Sequence, residues 1–260
     1  MFEHSDCSIL LVRAQAGQGK STFAEQCRQR TDRTTVWISC DPRDHDPILF
    51  AGKMLKAFCP HGQDDLENPH ETPDYQFTLN ENLEILGLKA AERVGQLIRP
   101  HLIFIDDLHL VHSSSASLHF LKRIVDSSHE SVKFVLLSRL SLQIDDRPLF
   151  SGHGCMQIDN EMLAFSREET VRLFNDVMKI RCTSEHRKTL YAKTGGWVTG
   201  LLLLAGHGPS GRGLSPANSA EIHEYFFRFI QEQQDLSPND MMRLGLLDEI
   251  PFDKIGRAHV

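Results

Sequence analysis

The junction over residues 8–30 constrains this chain more than any other stretch. An apolar run, SILLVR (8–13), enters a Gly-rich loop, Ala14-Gln-Ala-Gly-Gln-Gly19. It leaves through KSTFAEQCRQR (20–30), where Phe23 and Cys27 share one face at helical spacing. A strand apolar at successive positions suits burial on both faces, the habit of parallel sheets covered by helices. The next stretches repeat the alternation. TTVWISC (34–40), HLIFI (101–105) and VKFVLL (132–137) read as further buried strands. Between them, residues 46–58 place Asp46 at an N-cap and Pro47 in a first turn, and then become helical. Residues 83–98 form an amphipathic helix stopped ahead of Pro100, and residues 117–126 are helical. Residues 60–80 are polar, acidic and Pro-containing, a loop. The expected fold class is α/β, a largely parallel sheet flanked by helices.

The loop at the junction fits the Walker A pattern, with Ala14 in place of its first Gly. Gly17 and Gly19, with Gln18 between them, allow successive backbone N–H groups to curl around phosphate oxygens at a helix N-terminus. Lys20 is expected to reach the β- and γ-phosphates as a point charge, the Ser21 hydroxyl to ligate Mg²⁺, and Thr22 to lie near the α-phosphate. A strand before and a helix after supply the context this motif requires; the competing reading is a Gly-rich turn before an ordinary helix. Two further strand ends join it. Ile103-Phe-Ile-Asp-Asp107 delivers Asp106 where a Walker B carboxylate enters the magnesium shell, and Asp107 where a water-activating acid sits. A simple helix cap is the alternative for these two acids. Val135-Leu-Leu-Ser-Arg139 presents Arg139 as a γ-phosphate sensor, against a surface Arg at a strand end. From these residues alone the ligand is ATP or GTP with Mg²⁺.

Composition narrows the partners. Net charge is −7 and no Lys/Arg stripe stands out, so this stretch is a poor candidate for touching DNA itself. The six cysteines contain no C-x-x-C pair, which argues against a disulfide framework or zinc site and for a reduced, cytoplasmic setting. Fourteen histidines are scattered; the densest group, His101, His109, His112 and His119, repeats no ligand spacing. No apolar run approaches the roughly 18 residues of a membrane span, and the N-terminus lacks the basic start and apolar core of a secretory signal.

The texture changes near residue 160. Residues 166–204 read as helical throughout, opened by the capping-box sequence Ser166-Arg-Glu-Glu169. Residues 206–219 (GHGPSGRGLSPANS) are linker-like, and 220–233 and 238–247 are helices. The expected layout is a nucleotide-binding domain over 1–160, a helical subdomain over 161–207, a linker over 208–219 and a cut domain over 220–260. About forty residues are too few for a stable core. The last six, IGRAHV (255–260), read as the translation of a sequencing adapter, so a truncated gene with a non-native end is expected, against a genuine short C-terminus.

With these elements in order, the chain resembles the STAND class of signal-transduction ATPases, in the branch of MalT and the large LuxR-type regulators. LVRAQAGQGKST (11–22) is similar to that branch's strand and P-loop, and VWISCDPRDHD (36–46), with Pro47 and Phe50 after it, to its second strand and acidic turn. FIDDLHLV (104–111) resembles its Walker B with a trailing His, and LSR (137–139) its sensor strand. LAFSREE (163–169) resembles the start of its helical subdomain, and GGWVTGLLLL (195–204) the Gly-Trp module that closes on the nucleotide. The last segment also reads as a helix N-terminus with a buried face. Ala14 and Val198 depart from the pattern, the latter standing where many relatives have Pro.

The resemblance implies ATP rather than GTP, with no guanine-reading N-K-x-D motif present, and nucleotide contacts from Gly196 and Trp197. It also implies the start of a winged-helix-like domain after residue 220. A helical-repeat sensor for an effector would follow beyond this chain, often with a LuxR-type helix-turn-helix for DNA. The expected function is a slow ATPase switch that self-associates in its ATP state. An ordinary P-loop enzyme, an AAA-type motor and an interaction scaffold are the competing expectations.

Overall fold

In the computed structural model, which describes residues 2, 5–58, 83–150, 154–178 and 183–204, the apolar runs pair side by side in one direction. β1 (Ile9–Arg13), β2 (Thr34–Ser39), β3 (His101–Asp106), β4 (Val132–Ser138) and β7 (Cys155–Ile158) form a five-stranded sheet in the order β2-β3-β4-β1-β7, every ladder parallel. β3 and β4 lie inside the sheet and are buried at almost every position, which is why their sequences run apolar without alternation. β7 at one edge alternates between exposed and half-buried, and β2 at the other is half-buried. A minor ladder pairs β5 (Gln143–Ile144) with β6 (Arg147–Pro148) across Asp145 and Asp146, both at positive φ as a tight hairpin turn demands.

The helices covering the sheet are α1 (Lys20–Arg30), α2 (Pro47–Ala57), α3 (Leu83–Gly95) and α4 (Ser115–Ser127). Asp46 caps α2, its carboxylate accepting from the N–H groups of Ile48 (2.8 Å) and Leu49 (3.3 Å), as its position before Pro47 foretells. α3 ends at Gly95 rather than at residue 98. The core beneath them gathers Phe50, Met54, Leu86, Leu118, Ile124 and the inward residues of the sheet. One charge enters this packing. Lys133, buried on β4, donates from Nζ to the carbonyls of Phe2 (3.0 Å), Ser5 (2.6 Å) and Cys7 (2.9 Å), tying the N-terminal segment down.

By compactness the chain divides into two units, one of Met1–Ala14 with Lys20–Met162, the other of Gln15–Gly19 with the described residues from Leu163 onward. A short turn, α5 (Asn160–Leu163), is followed by α6 (Arg167–Arg172), which opens on a reciprocal capping box. Ser166 Oγ accepts from Glu169 N–H (3.2 Å), and Ser166 N–H donates back to the Glu169 carboxylate (2.8 Å). A π-helical turn over Leu173–Val177 extends α6, and α7 (Ser184–Thr194) and α8 (Val198–Leu204) follow. Among the described residues, the region expected to be helical throughout is α6 with its π turn, α7 and α8, the last two separated at Gly195 and Gly196, both at positive φ. Phe174 and Leu201 are its fully buried centre, packed by Phe165, Leu173 and Met178. The expected linker over 208–219 and the winged-helix start from residue 220 lie outside the described residues, as does the loop over 60–80. Among the described residues no helix is long and apolar enough to cross a membrane.

Candidate functional site

Parallel pairing puts the C-terminal ends of the strands on one edge, where open α/β sheets present ligands. Arg13 pairs with Ser138, and Ser39 with Asp106, so the ends of β1, β2, β3 and β4 finish level. At that edge Ala14 continues β1, its N–H donating to the Ser138 carbonyl (3.2 Å). Lys20, first residue of α1, is buried and folds its Nζ back onto the Ala14 carbonyl at 2.7 Å. Burial first and then the Arg139 charge lower its pKa, Asp107 and Asp106 oppose the shift, and the net value is about 8. Ser21 and Thr22 follow on the open first turn of α1, both exposed.

Asp106 ends β3 and is buried, one carboxylate oxygen accepting the Asp107 N–H at 2.8 Å. Asp107 stands at the cap position of the 3-10 turn Leu108–Val111, yet its side chain makes no capping bond. Its backbone sits in the left-handed region, φ 56° and ψ 35°, uncommon for a residue with a side chain. Burial, and then the neighbouring Asp106 charge, raise its carboxyl pKa. Arg139 follows β4, and its buried Nε has no hydrogen-bond partner among the described residues. This unit therefore brings together Lys20, Asp106, Asp107 and Arg139 closely enough for their charges to act on one another.

A fifth residue belongs with them. The His109 side chain is 13% exposed, with Nδ1 lying 3.7 Å from an Asp107 carboxylate oxygen and lacking a hydrogen-bond partner among the described residues. Burial and then the charges of Arg139 and Lys20 push its pKa down to about 3, so the imidazole is neutral at physiological pH. The sequence signal was its place two residues after Asp107 inside an apolar turn, a spacing that by itself assigns no role.

In the other unit, Gly17 (φ 70°) and Gly19 (φ 91°) bracket the buried Gln18. The carbonyls of this loop are held by the residues that open α8. The Trp197 indole N–H donates to Ala16 O (3.1 Å), and Thr199 donates to Gly17 O from both its N–H (3.2 Å) and its hydroxyl (2.8 Å). Gly196, at φ 85°, lies where a Cβ would stand 3.0 Å from the Phe165 nitrogen, and its carbonyl accepts the Phe165 N–H at 2.9 Å. Gly196 thus serves close backbone packing, and Trp197 is buried with its polar edge on the loop. Thr199 was not among the residues singled out from sequence; a Thr in the first turn of a helix carries no distinguishing signal.

The family model described as AAA domain matches residues 3–143. The transcriptional regulator MalT of Vibrio cholerae is 28% identical over 217 residues, covering 79% of this chain and 22% of that protein. The serine/threonine-protein kinase PknK of Mycobacterium tuberculosis is 27% identical over 237 residues, covering 84% of this chain and 20% of that protein. This chain spans about a fifth of the length of these curated relatives. Among solved structures, a STAND protein with a tetratricopeptide-repeat sensor from Pyrococcus horikoshii aligns at TM-score 0.48 and 19% identity, covering 76% of this chain and 27% of that one. The chain belongs to the AAA domain family, and its sequence is similar to the MalT regulators over most of its length.

Proposed function

We propose that this chain is the ATP-binding switch of a MalT/LuxR-type transcriptional regulator, with slow hydrolysis setting how long the active state lasts. One observation carries the nucleotide reading. Lys20 and Arg139 are two cations whose charges repel, one buried enough to lower its pKa to about 8, the other holding a buried nitrogen with no partner among the described residues. Two cations gathered at the strand ends suit a multiply charged anion, and the Gly17–Gly19 turn supports reading that anion as a nucleotide's phosphates.

In this reading the loop N–H groups and Lys20 hold the β- and γ-phosphates, and Arg139 registers the γ-phosphate. Ser21 and Asp106 are the residues that would hold Mg²⁺, and a hydroxyl with a buried carboxylate is the hard-oxygen donor set that ion prefers. When bound, the ion neutralises charge on the phosphate oxygens. Asp107 orients and deprotonates the attacking water, and its raised pKa moves it towards the working pH of a general base. His109, being neutral, adds no competing cation beside that carboxylate.

Residues 1–160 are the nucleotide-binding domain in this reading and 161–207 the helical arm that responds to nucleotide state, Trp197 being its lever. An effector sensor and a DNA-binding domain belong to the remainder of a longer protein, and self-association to its ATP state.

Titration calorimetry of the chain and of Lys20→Ala with Mg·ATP and Mg·ADP tests the site; unchanged affinity in the variant would sink it. Turnover well below the roughly 1 s⁻¹ of slow ordinary enzymes is expected. Fast turnover would favour an AAA-type ATPase whose product is chemistry or work.

A further inference from the structure

We propose that Thr199, with the Trp197 indole, is a positioning residue for the phosphate-binding loop: it sets the direction of the amides that meet the phosphates. The proposal rests on the nucleotide reading above and concerns one unit alone. In a trans peptide the carbonyl and the N–H of the next residue lie in one plane and point in opposite directions, and among the described residues no peptide is cis. Ala16 C=O and Gly17 N–H form one such plane, Gly17 C=O and Gln18 N–H the next.

Three donors grip the two carbonyls: the indole on Ala16, and the Thr199 amide and hydroxyl on Gly17. Both carbonyls are thereby turned towards the start of α8, and the Gly17 and Gln18 N–H groups are turned away from it. The Gln18 N–H makes a long turn contact, 3.4 Å, to Gln15 O. Gly17 at φ 70° lets two successive planes share this orientation, the backbone form of an anion nest.

The grip also acts electronically. A carbonyl that accepts a hydrogen bond polarises its peptide and makes the N–H across the plane a stronger donor, by roughly 10–30% per bond. The Thr199 amide is one of the donors a helix start leaves unmatched within its own ladder, so a bond to Gly17 O satisfies both ends. The hydroxyl is the additional element, and only Thr or Ser supplies it with this reach. Contact is close: a Cβ at Gly17 would stand 2.7 Å from Thr199 Cβ and 3.2 Å from the indole nitrogen.

The test compares Thr199→Val, Thr199→Ser and Trp197→Phe with wild type in the 260-residue chain, binding Mg·ADP and inorganic pyrophosphate, with thermal melts run without ligand. Thr199→Val keeps the shape and removes one hydrogen bond, so its affinity for both probes should fall about three- to tenfold. Thr199→Ser should restore affinity to within about twofold, the hydroxyl bond being kept. Trp197→Phe should weaken both probes in the same direction, and decides the matter if Thr199→Val melts early. Undiminished binding by Thr199→Val, or equal weakening by Val and Ser, overturns the assignment and leaves the nucleotide reading standing. A wild-type chain that binds neither probe overturns both.

Discussion

Replacing Gly17 by Ala separates backbone strain from packing, because Gly19 provides the control. Both glycines sit at positive φ, 70° and 91°, where an L side chain costs about 1–2 kcal/mol. They differ in what a Cβ would meet. At Gly19 nothing lies within 4 Å; at Gly17 the new carbon lands against Thr199 and the Trp197 indole. Overpacking of this kind costs about 1–3 kcal/mol beyond the shared strain. With a urea dependence of about 2 kcal/mol/M, the midpoint for Gly17→Ala should fall about 0.5–1.5 M below that for Gly19→Ala. Trp197 emission reports the change directly once Trp37, stacked on Phe104 at 5.0 Å, is replaced by Phe. Thr199→Gly opens the space, so a double-mutant cycle of Gly17→Ala with Thr199→Gly should show a favourable coupling of about 1–3 kcal/mol. Equal midpoints for the two alanine variants, or strict additivity in the cycle, would refute the reasoning.

Three other outcomes follow from the geometry. Asp107→Asn keeps a residue tolerant of left-handed backbone, so single-turnover hydrolysis should fall at least about 100-fold while calorimetric affinity for Mg·ATP is not weakened. Lys20 enters the folded state with its pKa lowered from 10.5 to about 8, so between those values the unfolded chain holds a proton the folded chain has released. Ligand-free stability should therefore rise with pH across that window while ADP affinity falls, and Lys20→Met should flatten both profiles. Asp46→Ala removes the cap of α2 at a cost of about 1 kcal/mol, lowering the melting temperature of the sheet unit by about 2–4 °C in circular dichroism.

What the sequence disclosed follows the physics of burial. β1, β3 and β4 are covered on both faces and announce themselves as unbroken apolar runs, and Asp46-Pro47 and Ser166–Glu169 state their caps in local chemistry. β7 was missed because an edge strand alternating between exposed and half-buried carries little periodic signal in four residues. The 3-10 turn Pro42–His45 is legible only as the acidic turn that the resemblance implies, and its cap is not. Its capping box uses Asp at both ends, Asp41 and Asp44, instead of the Ser/Thr-to-Glu pairing that marks the motif in sequence. At the site, spacing pointed to Lys20, Asp106 and Arg139 because each ends or follows a recognisable element. The Trp197 and Thr199 bonds to Ala16 and Gly17 join residues about 180 positions apart, which no local pattern encodes. His109 needed the fold as well, since its neutrality comes from burial near Arg139 and Lys20.

The strand order has a consequence for how such a chain is made. β1 lies between β4 and β7, with Ile9 beside Phe134 and Cys155, so β1 has no sheet neighbour until residues 132–138 have been made. At about 5–20 residues per second, translation leaves β1 waiting on the order of ten seconds, its apolar sides and both edges unpaired. Lys20 appears early in synthesis and acquires Arg139 as a neighbour only after β4 has emerged and docked. Nascent chains stalled before residue 139 should therefore bind chaperones that recognise apolar strands, and chains stalled well beyond β7 should have lost that affinity.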